Sequence, residues 1–142
     1  MSNLSIAEFA DKVSEIMPVM MREFFRQETG EFYKLKITLP QFVVLDMLNR
    51  QGKSRMSDLA RLINVTTAAM TGIVDRLVRD GYVKRTHDPR DRRIVNAALT
   101  VKGASSVKEM IGQRKKMTAK IFGMISQKER EEYLRILEHI RD

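Results

Sequence analysis

Residues 82–99 read Tyr82-Val83-Lys84-Arg85-Thr86-His87, Asp88-Pro89-Arg90-Asp91-Arg92-Arg93 and Ile94-Val95-Asn96-Ala97-Ala98-Leu99, and the fold is decided here. The two outer sextets carry strand-like residues and are separated by a polar, proline-containing stretch. Asp88 followed by Pro89 suits positions i and i+1 of a type I turn. The stretch therefore predicts a two-stranded hairpin, Tyr82–His87 and Ile94–Leu99, with a basic tip.

Upstream, Thr66 is a natural helix N-cap, Val65 can staple onto Met70, and Met70, Ile73, Val74 and Leu77 form one apolar face. Gly81 ends that helix, because glycine tolerates the left-handed C′ conformation, and Tyr82 can then fold back on Leu77. A shorter amphipathic helix lies within Ser54–Val65, with Leu59, Ala60 and Ile63 on its apolar side. Before it, Thr38 can cap, Gln41 can reach back and Ile37 can pack on Phe42, which starts another helix running to about Asn49. Two short helices joined tightly and followed by a basic hairpin make a winged helix-turn-helix. Its second helix fits the major groove of a duplex, and the hairpin reaches along the backbone toward the adjacent minor groove.

Helices flank this core. Ile6, Phe9, Val13, Ile16, Met17, Met20 and Phe24 place one apolar stripe on a long first helix, which Pro18 is expected to kink or shorten. Thr100 caps a long helix reaching about Met124, and Ser126-Gln127-Lys128-Glu129 supplies a capping box for a last helix carrying Tyr133, Leu134, Leu137 and Ile140. The expected fold is mostly α with a small β-wing. Residues 1–142 form a single domain, with the winged core at about 38–100 and flanking helices at about 4–29 and 101–142.

Composition narrows the function classes. With 142 residues, 43% of them hydrophobic and 31% charged, the chain is apolar enough to fold as one domain. The absence of cysteine excludes disulfides, thiolate metal sites and cysteine redox chemistry. No apolar run approaches the ~20 residues of a membrane span, and the apolar stretch near Ile16–Met21 follows acidic residues rather than a basic leader, so a cytoplasmic protein is expected. The net charge of +8 is unevenly spread: residues 50–93 hold eleven basic and five acidic side chains, whereas residues 1–49 hold five and seven. Such a concentrated positive field attracts polyanions, nucleic acid foremost. There is no phosphate-binding glycine loop, no nucleophile paired with a base, and only His87 and His139 as imidazoles, so neither an enzyme, a cofactor nor a metal site is expected.

The order and spacing of several short motifs resemble the multiple-antibiotic-resistance regulator (MarR) family of bacterial transcription factors. They are Leu39-Pro40-Gln41-Phe42, Asp58-Leu59-Ala60, Val74-Asp75-Arg76-Leu77 before Gly81-Tyr82-Val83, and Asp88-Pro89-Arg90-Asp91-Arg92-Arg93 followed by Leu99-Thr100 and Gly103. The resemblance covers nearly the whole length. It implies that the helix after Thr66 reads DNA, with Thr66, Thr67, Ala68, Thr71, Gly72, Asp75 and Arg76 facing the groove. Ala68 and Gly72 stand where longer polar side chains often sit in the family, so base reading here leans on methyl contacts and groove shape. It further implies that Arg90 or Arg92 enters the minor groove, with Asp88 and Asp91 orienting the neighbouring arginines; Lys84, Arg85 and Arg93 suit phosphate contacts.

The resemblance also implies a homodimer formed through both termini, for which Leu4, Ile6, Phe9, Leu134, Leu137 and Ile140 are the apolar candidates, and hence a pseudo-palindromic double-stranded operator. Many family members release DNA when a small aromatic or anionic effector binds; Met17, Met21, Phe24, Phe42 and Met110 are candidate pocket walls here. The expected function is a dimeric, sequence-specific DNA-binding repressor. A winged-helix protein-interaction module without DNA reading is the alternative, motivated by the small side chains Ala68 and Gly72.

Overall fold

The computed structural model describes residues 3–27 and 37–142, except for the side chains of 24–27. The chain divides into two compact units, Met1–Lys36 and Ile37–Asp142. The first unit holds helix α1, Ile6–Gln27, which runs unbroken across Pro18. Twelve helical residues precede the proline and nine follow it, so of the expected kink or shortening at Pro18 the shortening is not seen. The last two residues of the expected 4–29 helix lie outside the described residues.

The second unit opens with α2, Leu39–Gln51, started by the expected capping box: Gln41 N–H donates to Thr38 Oγ1, and Thr38 N–H donates to Gln41 Oε1. It runs two residues past the expected end and stops at Gly52, whose φ of 75° a side chain would resist. Ser54–Arg55 form β1, a two-residue strand, and α3 then spans Met56–Leu62. The turn into α4, Thr67–Arg79, is closed by two bonds, Asn64 N–H to Arg61 O (3.2 Å) and Val65 N–H to Ala60 O (3.0 Å), with Asn64 at φ 55°. That is a Schellman turn with asparagine in the left-handed position.

The same motif ends α4 as Gly81 predicts: Gly81 N–H reaches Val78 O (3.0 Å) and Tyr82 N–H reaches Leu77 O (2.9 Å), with Gly81 at φ 82°. β2, Val83–His87, and β3, Val95–Leu99, form the expected hairpin, each one residue shorter than the sequence suggested. The sheet has a third member. β1 pairs antiparallel with β3, Ser54 opposite Ala97 and Arg55 opposite Asn96, giving the order β1-β3-β2. Helices α5, Val101–Phe122, and α6, Gln127–Arg141, complete the unit, capped by Thr100 and by the Ser126/Glu129 box.

The core lies where α2, α3, α4, the sheet and the first half of α5 converge. Leu45, Leu59, Met70, Val74, Leu77, Val107 and Met110 are all essentially solvent-free. Burying an aliphatic side chain of this kind is worth about 2 kcal/mol, and this packing fixes α4 and the hairpin as one platform. By contrast α6 buries none of its residues within the chain.

Candidate nucleic-acid interface

One face of α4 is committed to the core through Met70, Val74 and Leu77, which turns the other face outward. Thr66, Thr67, Ala68, Thr71, Gly72, Asp75 and Arg76 are all exposed on it. Thr66 Oγ1 accepts the Ala69 N–H at 3.1 Å, so Thr66 is the cap that starts this helix. Thr71 donates its hydroxyl back to Thr67 O at 2.9 Å, leaving its oxygen lone pairs and methyl group outward. A Cβ at Gly72 would meet nothing within 4 Å, so no intramolecular contact requires glycine there.

The hairpin tip is braced from within. Asp88 Oδ1 accepts the N–H groups of Arg90 (2.8 Å) and Asp91 (3.2 Å), and the ends are tied by Asp88 N–H to Ile94 O (2.9 Å) and Ile94 N–H to Asp91 O (3.0 Å). Arg93 grips Asp91 with two parallel bonds of 3.0 Å, Nε to Oδ1 and Nη2 to Oδ2. The Arg93 guanidinium, together with the Arg93 N–H, holds the Asp91 carboxyl below its usual range. The brace thus stays charged at and above the ordinary carboxylate range and is lost only as acid titrates this lowered group. His87 Nδ1 lies 2.9 Å from Arg92 O, a carbonyl that can only accept, so that nitrogen carries the proton.

These bonds leave Arg90 and Arg92 exposed, with no guanidinium partner among the described residues. Arg76 and Lys84 are likewise exposed and unpaired. Arg85 differs from its neighbours: its guanidinium pairs with Asp75 on α4 (Nη2 to Oδ1, 2.5 Å) and donates to Thr71 O at 3.3 Å. The residues expected to touch phosphate therefore divide into Lys84, which is free, and Arg85 and Arg93, which hold carboxylates of their own chain. The Asp75–Arg85 pairing was not legible in the sequence, where ten positions and a helix end separate the partners.

The remaining candidates fall in both units. In the first, Leu4, Ile6, Phe9, Met17 and Met21 are exposed, and the Phe24 side chain lies outside the described residues. In the second, Leu134, Leu137 and Ile140 are exposed along α6, whereas Phe42 and Met110 are buried in the core. A cleft of about 460 Å³ lies between α2 and α5, lined by Asp46, Arg50, Ile111, Arg114, Lys115, Thr118 and Ala119. Asp46 Oδ2 accepts from Arg50 at 3.0 Å, but its buried Oδ1 has no hydrogen-bond partner among the described residues. Arg114 lies 5.8 Å from the centroid of the Phe42 ring. Among the described residues no cluster of three or more His, Asp or Glu could hold a metal, and no helix is long and apolar enough to cross a membrane.

The family model described as the MarR family matches residues 37–95. The transcriptional repressor NicR of Pseudomonas putida is 30% identical over 134 residues, 92% of this chain and 85% of NicR. YfiV of Bacillus subtilis, a helix-turn-helix transcriptional regulator, is 40% identical over 73 residues, which span 51% of this chain and about half (46%) of YfiV. Among solved structures, BpsR of Bordetella bronchiseptica, whose DNA binding is regulated by 6-hydroxynicotinic acid, superposes with a TM-score of 0.68 at 28% identity, covering 92% of this chain and 99% of BpsR.

Proposed function

The chain belongs to the MarR family, and from that premise we propose that it is a dimeric transcriptional repressor that binds double-stranded DNA sequence-specifically and is released by a small-molecule effector. One observation carries the DNA reading. The outward face of α4 and the unpaired guanidinium groups of Arg90 and Arg92 belong to one packed platform, and both are open to solvent. In this reading α4 enters the major groove through Thr66, Thr67, Ala68, Thr71, Gly72 and Arg76. Arg90 or Arg92 enters the minor groove, where narrow A·T-rich sequence attracts a guanidinium, and Lys84 meets phosphate.

The test is fluorescence anisotropy with the DNA flanking the protein's own gene, measured across salt. Neutralising several phosphates requires log affinity to fall steeply with log salt, with a slope of about −0.9 per phosphate. A slope near zero defeats the DNA reading and favours the interaction-module alternative. Arg90→Ala and Arg92→Ala should weaken operator binding, the one in the groove by roughly tenfold, with the dimer intact by sedimentation. Unaltered affinity in both removes the wing from the interface.

Gly72 gives the same reading a further test. An exposed glycine in mid-helix is less stable than alanine by about 1 kcal/mol, so Gly72→Ala should raise the urea midpoint. If α4 lies in the groove with its backbone close to the bases, the same substitution should weaken operator binding. A variant that is both more stable and equally tight would place Gly72 away from the DNA.

For the effector, the α2/α5 cleft is a second candidate beside the set expected from the sequence, Met17, Met21, Phe24, Phe42 and Met110. The cleft sets Arg114 and Lys115, neither with a carboxylate partner among the described residues, beside the unsatisfied Asp46 oxygen. That lining favours an organic anion carrying a hydrogen-bond donor.

A further inference from the structure

Resting on the DNA-binding reading, we propose that Asp75 and Arg85 are positioning residues: a strut that sets the wing at a fixed spacing from the recognition helix and spends no charge on phosphate. Arg85 lies in mid-strand on β2, opposite Ala97, and among the described residues β2 is an edge strand paired with β3 alone. From there its guanidinium crosses to α4, gripping the Asp75 carboxylate and the Thr71 carbonyl, one helical turn apart. The neighbouring Lys84 and the tip arginines Arg90 and Arg92 make no such bond. The one strand arginine that faces the helix is thus the one already paired.

The charge balance argues against a phosphate role. A phosphate drawn to the remaining N–H groups of Arg85 would also meet the Asp75 carboxylate, whose negative charge opposes it on the DNA-facing surface of α4. Geometry supplies the alternative role. Strand residues advance roughly 3.3 Å each, so the wing tip begins roughly 10 Å beyond Arg85, and a hinge of roughly 10° there would shift Asp88 by roughly 2 Å. A protein that inserts one element in each groove needs that spacing set before it meets DNA, since ordering the wing on binding costs affinity.

The experiment measures operator and non-specific DNA affinity across salt for the full chain and for Arg85→Ala, Asp75→Ala, Arg85→Lys and the Asp75→Ala/Arg85→Ala double variant. For a strut, Arg85→Ala lowers operator affinity roughly tenfold without making the salt slope shallower. Asp75→Ala lowers it too, although it removes an anion facing the DNA, and the double variant loses no more than either single. Arg85→Lys resembles Arg85→Ala, because the shorter lysine chain ends before the position from which Nη2 reaches both Asp75 and Thr71. For a phosphate contact, Arg85→Ala makes the slope shallower by about 0.9, Arg85→Lys retains most of the affinity, and Asp75→Ala tightens binding. That pattern, or unchanged operator affinity in both single variants, overturns the strut. Backbone amide order parameters of residues 88–93 without DNA give a second readout: both single variants should lower them, and unchanged values overturn the strut. If the wild-type chain bound no DNA, the function reading would fall, and the order parameters would still decide the strut.

Discussion

Gly103→Ala is expected to lower the stability of the second unit by about 3 kcal/mol, read as a lower urea midpoint, whereas Gly112→Ala in the same helix should raise it slightly. A Cβ on Gly103 would stand 1.9 Å from the Tyr82 carbonyl oxygen and 2.9 Å from its carbon, and both are backbone atoms that cannot swing aside. At Gly112 a Cβ would meet nothing within 4 Å. The first turn of α5 is held against the end of α4 by bonds that a displaced helix would lose. Thr100 N–H donates to Tyr82 O (3.1 Å), Thr100 Oγ1 to Gly81 O (2.6 Å) and Lys102 Nζ to Asp80 O (2.7 Å). The Lys102 ammonium also lies 4.6 Å from the centroid of the Tyr82 ring. Three carbonyls at the end of α4 are thus satisfied by Thr100 and Lys102 at the start of α5, and the methyl group would break that junction. A Gly103→Ala protein with a wild-type midpoint would mean that the close approach is not part of the folded state in solution.

The same junction shows what a sequence can and cannot convey. Thr38, Thr66, Thr100 and Ser126 each accept the backbone N–H three residues on, as their position before an apolar run predicts. Gly81 and Tyr82 make the turn that a glycine at C′ implies. These signals are local, so they survive in one dimension. Strand β1 was invisible because two residues carry no periodicity, and its partner β3 lies some forty positions away. Asn64 passed unnoticed because asparagine adopts the left-handed conformation far less often than glycine. Within the candidate site, the outward face of α4 and the basic tip were legible. The division of the basic residues into paired and unpaired groups was not: Asp91 and Asp75 choose their arginines in space. The cleft beside Asp46 was likewise beyond reach, since it forms between helices separated by the whole sheet.

Removing residues 134–142 should convert the proposed dimer into a monomer of half the mass and weaken operator binding by roughly 10²- to 10⁴-fold, the advantage that linking two half-site contacts confers. The physical ground lies in α6. Its first half is anchored to the end of α5, with Arg130 Nη1 donating to Phe122 O (3.1 Å) and Tyr133 stacked on Phe122 at 5.0 Å between centroids. Beyond that anchor Leu134, Leu137 and Ile140 are 57%, 45% and 74% exposed, with Ile136 beside them. An apolar stripe of this kind on a helix none of whose residues is buried gains stability by being covered, and a second copy of the same stripe can cover it. In a homodimer each chain contacts one half-site, so the monomer should also show about half the wild-type salt slope, because half the phosphates are neutralised. Leu137→Glu provides the control for misfolding: the side chain is exposed in the chain itself, so the charge should split the dimer while leaving the urea midpoint of the second unit unchanged. If both variants sediment as the wild type and bind with the full slope, the stripe on α6 is not the dimer surface, and Leu4, Ile6 and Phe9 on the first unit become the side chains to test.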